Sequence, residues 1–548
     1  MEIVEIRELE GPNIFLLQPA IKVELAFAET EQPVVSTFAD AFVVGTEADE
    51  IGFVPASRDR VKALLLEIIH VLHDRAGAPR PQAVSRDMET PGHIVVAYEW
   101  ERRKFAVDLA HSALDILLGR LDINDLETRI SALEHFLFRP ISLEDMPESI
   151  RRATRHMPII GITGTNGKTT TTRLISAILM SSGRRVGWTS SSGVYIQGEE
   201  RIHGDYTGPS GAVYVLKEPN VDVAVLETAR GGILLRGLGY ENNDVSVITN
   251  ISPDHLGLQG VQTIEGLAEV KSTVARVTVP DGFAVLNADD ALVLGMRSVI
   301  VAKPFLITRQ EENPAVVAHI ANGGWALTVW NGQVHWSHDS ETDVVTDLNE
   351  IPITFGGRAG HMLENALCAT AACLAMGLPI DHVRTGLAGF RPHSDQNRGR
   401  LNVFDVEGVT IIVDFAHNEA GLVNLLKFGR NMVSAPEARL ITIIGSAGDR
   451  TDEALSMLGK IAADSADLTV IKDTTHYLRG RKPGEIIELM KQGMTNAGGM
   501  WQEISPSEIE GVKRGIALAK AGDVVAVMCI EDYDEILPWL EEIGTSIG

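Results

Sequence analysis

Cysteine is scarce. Cys368, Cys373 and Cys529 are the only three in 548 residues, too few for a disulfide framework and without a C-x-x-C pair. They lie in the apolar runs NALCATAACLAMG and VVAVMCI, which marks them as core residues. Cations are also short, with 48 Lys and Arg against 74 Asp and Glu and a formal charge of −26. That deficit speaks against a nucleic-acid or anionic-membrane binder, because phosphate contacts need surplus positive charge. It suits a solvated acidic surface, or a cationic substrate or product. No apolar run approaches the ~20 residues that span a bilayer. The start MEIVEIRELEGPN lacks the basic-then-apolar order of a signal peptide. Repeats and low-complexity tracts are missing too. A soluble cytoplasmic protein is expected, with no nucleic-acid or membrane partner and with homo-oligomerisation left open.

The length favours about three domains at ~150 residues each, and 45% hydrophobic against 22% charged residues excludes extensive disorder. Residues 1–150 read as an α+β unit. EIVEIREL and IKVELAF alternate as strands around a Gly11-Pro12-Asn13 turn, and SRDRVKALLLEIIHVLHDRAG has helical spacing with Gly77 near its end. From Met157 the texture changes: short apolar runs (MPIIGIT, VDVAVLE, DVSVITN, FAVLN) alternate with helical segments. This is the pattern of parallel strands with crossover helices. ALTVWNGQVHW predicts a hairpin turning at Asn331-Gly332, followed by a helix over HMLENALCATAACLAMG. A second α/β unit begins near Arg400. The expected fold is α/β in three domains: α+β over 1–150, a phosphate-loop parallel-sheet domain over 157–397, and a Rossmann-like domain over 398–548.

The strand MPIIGIT runs straight into Gly164-Thr165-Asn166-Gly167-Lys168-Thr169-Thr170 and a helix. Glycines let backbone wrap a phosphate, and the helix N-terminus adds free N–H groups and a positive dipole. Lys168 supplies a charge for β- and γ-phosphates, and the Thr169 hydroxyl can reach Mg²⁺. Ile162 stands where the strict G-x-x-x-x-G-K-[ST] pattern has its first glycine. Two further groups fall at strand ends, where open parallel sheets hold ligands. Glu227 ends VDVAVLE before the paired glycines of TARGG, and His255 follows DVSVITN. Mg²⁺ prefers oxygen ligands, so Thr169 and Glu227 suit it, and His255 joins them by position.

GTNGKTTTT, LETARGG, NISPDHL and LAEVKSTVARV together resemble the central domain of Mur ligases, most closely the Mur-like half of cyanophycin synthetases. NRGRLNVF, VDFAHNEAG, GDRTDEALSMLG and RGRKPGE are similar to that group as well, as are RELEGPNIF and TPGHIVVAYEWE near the start. The resemblance implies an ATP-dependent ligase that works through an acyl phosphate with ATP and two Mg²⁺ ions. It makes Lys168, Glu227, His255 and Lys271 the catalytic set and Thr169, Glu227, His255 and Lys271 the metal set. Lys271 matches a lysine that Mur ligases carbamylate; spacing alone reads it as a surface helix residue. Asn287 matches an adenine-side contact. Arg400 and Asp414, with His417 and Asn418 in the same motif, complete the ATP site on domain closure.

One departure matters. Cyanophycin synthetases carry an ATP-grasp module between the N-terminal and Mur-like parts, and here those parts meet near residue 150. One ATP site implies one ligation. The resemblance favours arginine joining an acidic amino acid or peptide, with Asp532 or Asp534 as partners for a guanidinium near Arg479-Gly480-Arg481. A free-standing ligase of another small-peptide route, and a non-catalytic ATP-binding partner of a full synthetase, stay open.

Overall fold

A computed structural model describes all residues except 29–32, 47–51 and 122. The N-terminal region builds a four-stranded antiparallel sheet in the order Glu2–Leu9, Ala20–Ala26, His93–Glu99, Ala83–Asp87. Alternation places Ile21, Val23 and Leu25 inward against Leu64, Leu65 and Ile68 of the helix Arg58–Arg75. Asn13 fixes the turn between the first two strands, its Oδ1 accepting from the Phe15 and Leu16 N–H groups.

The central sheet has 11 strands. Those from Val186–Ser190 to Trp325–Trp330 pair in parallel, and antiparallel hairpins extend both edges. The strands Ile159–Thr163 and Val223–Glu227 are buried along their whole length, as expected where helices cover both faces. The edge hairpin turns at Asn331 and Gly332, both with positive φ (49° and 74°), the type I′ geometry that an Asn-Gly pair accommodates. The helix Gly360–Ala375 packs on the phosphate-loop helix Lys168–Ser181 with Cys368 and Cys373 fully buried. Cys529 is buried in the third region.

That third region is a seven-stranded sheet, parallel from Glu503–Ser505 through Val409–Asp414, with Asn402–Val406 and Thr545–Ser546 added antiparallel. No helix among the described residues is long and apolar enough to cross a membrane.

Candidate active site

The phosphate loop leaves the strand Ile159–Thr163 and enters the helix Lys168–Ser181, whose N-cap Gly167 offers no side-chain cap. Its first-turn N–H groups are therefore available to an anion. Both loop glycines are demanded by their neighbours. A Cβ on Gly164 would lie 1.9 Å from Thr249 Oγ1, and one on Gly167 would lie 2.1 Å from Asn365 Oδ1; both positions have positive φ. The next strand end braces the loop: Asn166 N–H donates to Asn250 Oδ1 (2.9 Å), and Thr249 Oγ1 and Asn250 Nδ2 donate to the Asn166 carbonyl (2.7 and 3.1 Å). Thr165 exchanges hydrogen bonds with Ser252.

Lys168 Nζ donates to the carbonyls of Gly164 and Thr165 (3.2 and 2.9 Å). Thr169 Oγ1 donates to Glu227 Oε1 (3.1 Å) and lies 3.2 Å from Ser191 Oγ. Glu227 is 3% exposed, and its Oε2 has no hydrogen-bond partner. Burial pushes its carboxyl pKa up, opposed by the charges of Lys168 and Arg400. An orphaned carboxylate oxygen beside a hydroxyl is a donor set that fits a hard divalent cation.

Lys271 lies on the helix Ile264–Arg276 and is 4% exposed. Leu267, Val270, Lys271 and Val274 form its buried stripe, so the lysine occupies a core position and not the surface expected from spacing. Its Nζ donates to the Gly164 carbonyl at 2.6 Å. Burial, then the nearby Lys168 charge, pushes the amine well below the usual lysine pKa. His255, at positive φ, stands between Asp254 and Asp449 (3.8 and 4.0 Å).

A cavity of about 250 Å³ gathers Thr165 to Thr170, Glu227, His255, Lys271, Arg400, Asp414 and His417. Asn287 does not line it; its amide donates to the Thr249 carbonyl and accepts from the Asp289 N–H. Arg400 lies over the Phe415 ring (4.5 Å), and Asp414 Oδ2 accepts from the Leu401 N–H (2.8 Å). The C-terminal region closes on the loop. Asn166 and Asn418 exchange side-chain amide bonds at 3.2 Å, and Arg450 pairs with Asp254. Although burial opposes it, Arg450 with His417 and His255 holds Asp254 well below the usual carboxylate range.

Several lining residues escape sequence reasoning. His361, Glu364 and Asn365 reach the cavity from the helix Gly360–Ala375. Their i, i+3, i+4 spacing on an otherwise apolar helix is the signal that could have found them. Burial pushes Glu364 up to about 7 against Arg309 at 2.9 Å, and pushes His361 down to about 4. Asp534 is taken by Arg398 (2.7 Å), and Arg481 by Asp452 and Glu485 (2.8 and 2.7 Å).

Comparison with known proteins bears on this geometry. The Mur ligase middle domain profile matches residues 162–373, and the profile described as Mur ligase, glutamate ligase domain, matches residues 399–529. A cyanophycin synthetase of Nostoc sp. is 40% identical over 426 residues, 76% of this chain and 47% of that protein. The chain thus spans about half the length of such relatives. A UDP-N-acetylmuramoyl-L-alanyl-D-glutamate--2,6-diaminopimelate ligase of Alkaliphilus metalliredigens is 28% identical over 385 residues, 69% of this chain and 72% of that protein. A bifunctional folylpolyglutamate synthase/dihydrofolate synthase of Yersinia pestis, complexed with AMPPNP and Mn ion, shares the fold. The TM-score is 0.51 at 20% identity, covering 70% of this chain and 89% of that one.

Proposed function

This chain belongs to the Mur ligase superfamily, and from that premise we propose that it is an ATP-dependent ligase forming an amide bond through an acyl phosphate. The observation that carries the reading is Lys271. Its amine is buried against the phosphate loop at 2.6 Å from the Gly164 carbonyl, and burial lowers its pKa well below the usual lysine value. Loop, lysine and threonine would serve any phosphate-loop ATPase; a second lysine buried against the same loop has no purpose there. A neutral amine can add CO₂ and release a proton, giving a carbamate that acts as a carboxylate beside a metal.

The orphaned Glu227 oxygen beside Thr169 fits Mg²⁺, and Thr169, Glu227, His255 and a carbamylated Lys271 would hold it, with two ions proposed. When bound, Mg²⁺ supplies charge neutralisation on the transferring phosphoryl group. The chain's own groups do the rest. Gly164 to Thr170 hold the phosphates, Lys168 offsets their charge, and Arg400 and Asp414 meet the nucleotide from the closing domain. Asn287, proposed for the adenine side, would act there through the Thr249 and Asp289 backbone it bonds, since it does not itself line the cavity. A substrate carboxylate oxygen attacks the γ-phosphorus and ADP leaves. An amine then attacks the acyl carbon, and phosphate departs with the original carboxylate oxygen. The Asn166–Asn418 and Arg450–Asp254 contacts keep the domains shut, which excludes water from the acyl phosphate.

The favoured substrates are arginine as amine and an acidic amino acid or peptide as acceptor, supported by the 40% identity to a cyanophycin synthetase. One phosphate loop supports one ligation per chain, with the domains taken as 1–150, 157–397 and 398–548. Phosphate release from Mg²⁺-ATP, with each amino acid paired against aspartate, β-aspartyl-arginine and short acidic peptides, tests the reading. Release that needs both a carboxylate and an amine, and that Lys168→Ala abolishes, is expected. Release independent of either co-substrate contradicts it.

A further inference from the structure

A second cavity of about 770 Å³ adjoins the phosphate site, within the ~300–1,000 Å³ typical of small-molecule sites. Ser191, Arg400 and Phe415 line both cavities. Ser191 Oγ is 3.2 Å from Thr169 Oγ1, so the two spaces meet on the side of the loop where phosphoryl transfer would take place. The strands Val186–Ser190 and Gly193–Ile196 form one wall, where Trp188 and Tyr195 stack at 5.1 Å and 9°. Phe415 and Tyr533 of the C-terminal region form the opposite wall, meeting edge to face.

The charge in this cavity is graded. Arg173, on the phosphate-loop helix, donates to the Arg398 carbonyl and to Ser192 Oγ, each at 3.1 Å. Among the described residues it has no ion pair, whereas Arg398 beside it is paired with Asp534. Burial, then the neighbouring Arg400, brings Arg173 down to about 10. A half-buried cation in a cavity wall with no counter-ion is a ready partner for an anionic ligand. Glu200 and Asp395 line the same cavity and are exposed, with Glu200 also bonded to the Tyr195 hydroxyl at 3.1 Å. The interior is therefore cationic and the rim acidic, in a protein whose net charge is −26.

We propose that this cavity binds the carboxylate acceptor as a dicarboxylic amino acid or a short peptide ending in one. Arg173 holds the carboxylate that does not react, and the reacting one extends past Ser191 and Arg400 to the phosphate loop. The aromatic walls take the planar groups of the chain, and the acidic rim takes its cationic or hydrogen-bonding substituents. Arg173 is then a specificity residue that touches substrate without touching the reacting atoms. The proposal rests on the ligase reading for the fate of the second carboxylate, but binding itself does not require turnover.

Tetra-aspartate with a free C-terminus, and the same peptide amidated there, are the probes. Tryptophan fluorescence on titration reports binding, with Trp188→Phe identifying the responding ring. Wild-type protein should bind the free acid and discriminate against the amide. Arg173→Gln should weaken the free acid at least tenfold, Arg173→Lys less, and neither should move the half-saturating ATP concentration. Equal peptide binding by wild type and Arg173→Gln, or no binding by wild type at millimolar peptide, overturns the proposal. Binding with this pattern but no ligation supports the cavity's role and removes the ligase reading instead.

Discussion

Lys271 Nζ and the Gly164 carbonyl oxygen lie 2.6 Å apart, joining the buried stripe of one helix to the first residue of the phosphate loop. The contact holds a lysine where folding alone would favour a methionine or leucine, since desolvation of an amine costs free energy that an apolar chain does not. Lys271→Met should therefore keep an equal or higher thermal midpoint near pH 7 while losing ligation by at least 100-fold. With ¹³C-bicarbonate, a carbamate carbon signal should appear in wild-type protein and vanish in Lys271→Met. A variant that melts much lower, or that ligates normally, contradicts the assignment.

Glu227 carries the clearest unmet valence of the site, its Oε2 buried without a partner. Mg²⁺ should raise the melting temperature of wild-type protein, in proportion to the logarithm of its concentration once binding saturates. Glu227→Gln should show little or none of that response while melting as well as wild type without Mg²⁺. An undiminished Mg²⁺ response would remove Glu227 from the metal set.

The N-terminal region reaches the lysine helix directly. Glu89 accepts from the Gln262 and Thr263 N–H groups (2.5 and 3.0 Å) and from Thr263 Oγ1 (2.5 Å), and Arg86 pairs with Glu269 at 2.5 Å. A Cβ on Gly266 would lie 2.2 Å from Glu89 Oε1, so that glycine makes room for the contact. Glu89→Ala removes the acceptor that holds the N-cap residue Thr263 in place, at about 0.5–1.5 kcal/mol per hydrogen bond. Amide exchange across 262–276 should quicken, and the half-saturating bicarbonate or Mg²⁺-ATP concentration should rise several-fold. Glu89→Asp should restore part of both. Faster exchange confined to the 86–90 turn would show that the contact does not reach Lys271.

Glu364 gives a pH signature. Its folded pKa, pushed up to about 7, exceeds the ~4.3 of an unfolded glutamate. Between those values the folded state binds the extra proton, so this group's contribution falls as pH rises through the window and is fully present below it. Glu364→Gln cannot lose a proton. Its melting temperature relative to wild type should climb from pH 5 to pH 8, and a flat difference contradicts the burial argument.

The phosphate loop and the two strand-end groups were legible because their chemistry depends on local order: a strand, a glycine turn and a helix in succession. The Asn331-Gly332 hairpin was legible for the same reason. Lys271 was not, although it falls on the stripe of Leu267, Val270 and Val274, because spacing alone gives a lysine no reason to be inside. His361, Glu364 and Asn365 were read as part of an apolar helix, and only the packing of that helix on the phosphate loop turns them to the cavity. Asp534 looked like a free acid until the fold brought Arg398 across 136 positions to meet it. Long-range pairing of this kind leaves no local mark.

The most direct test of the acyl phosphate follows an oxygen atom. Acceptor carboxylate labelled with ¹⁸O, incubated with Mg²⁺-ATP and amine, should yield ADP and phosphate carrying one ¹⁸O per amide formed. Unlabelled phosphate, or AMP with pyrophosphate as products, would contradict the account.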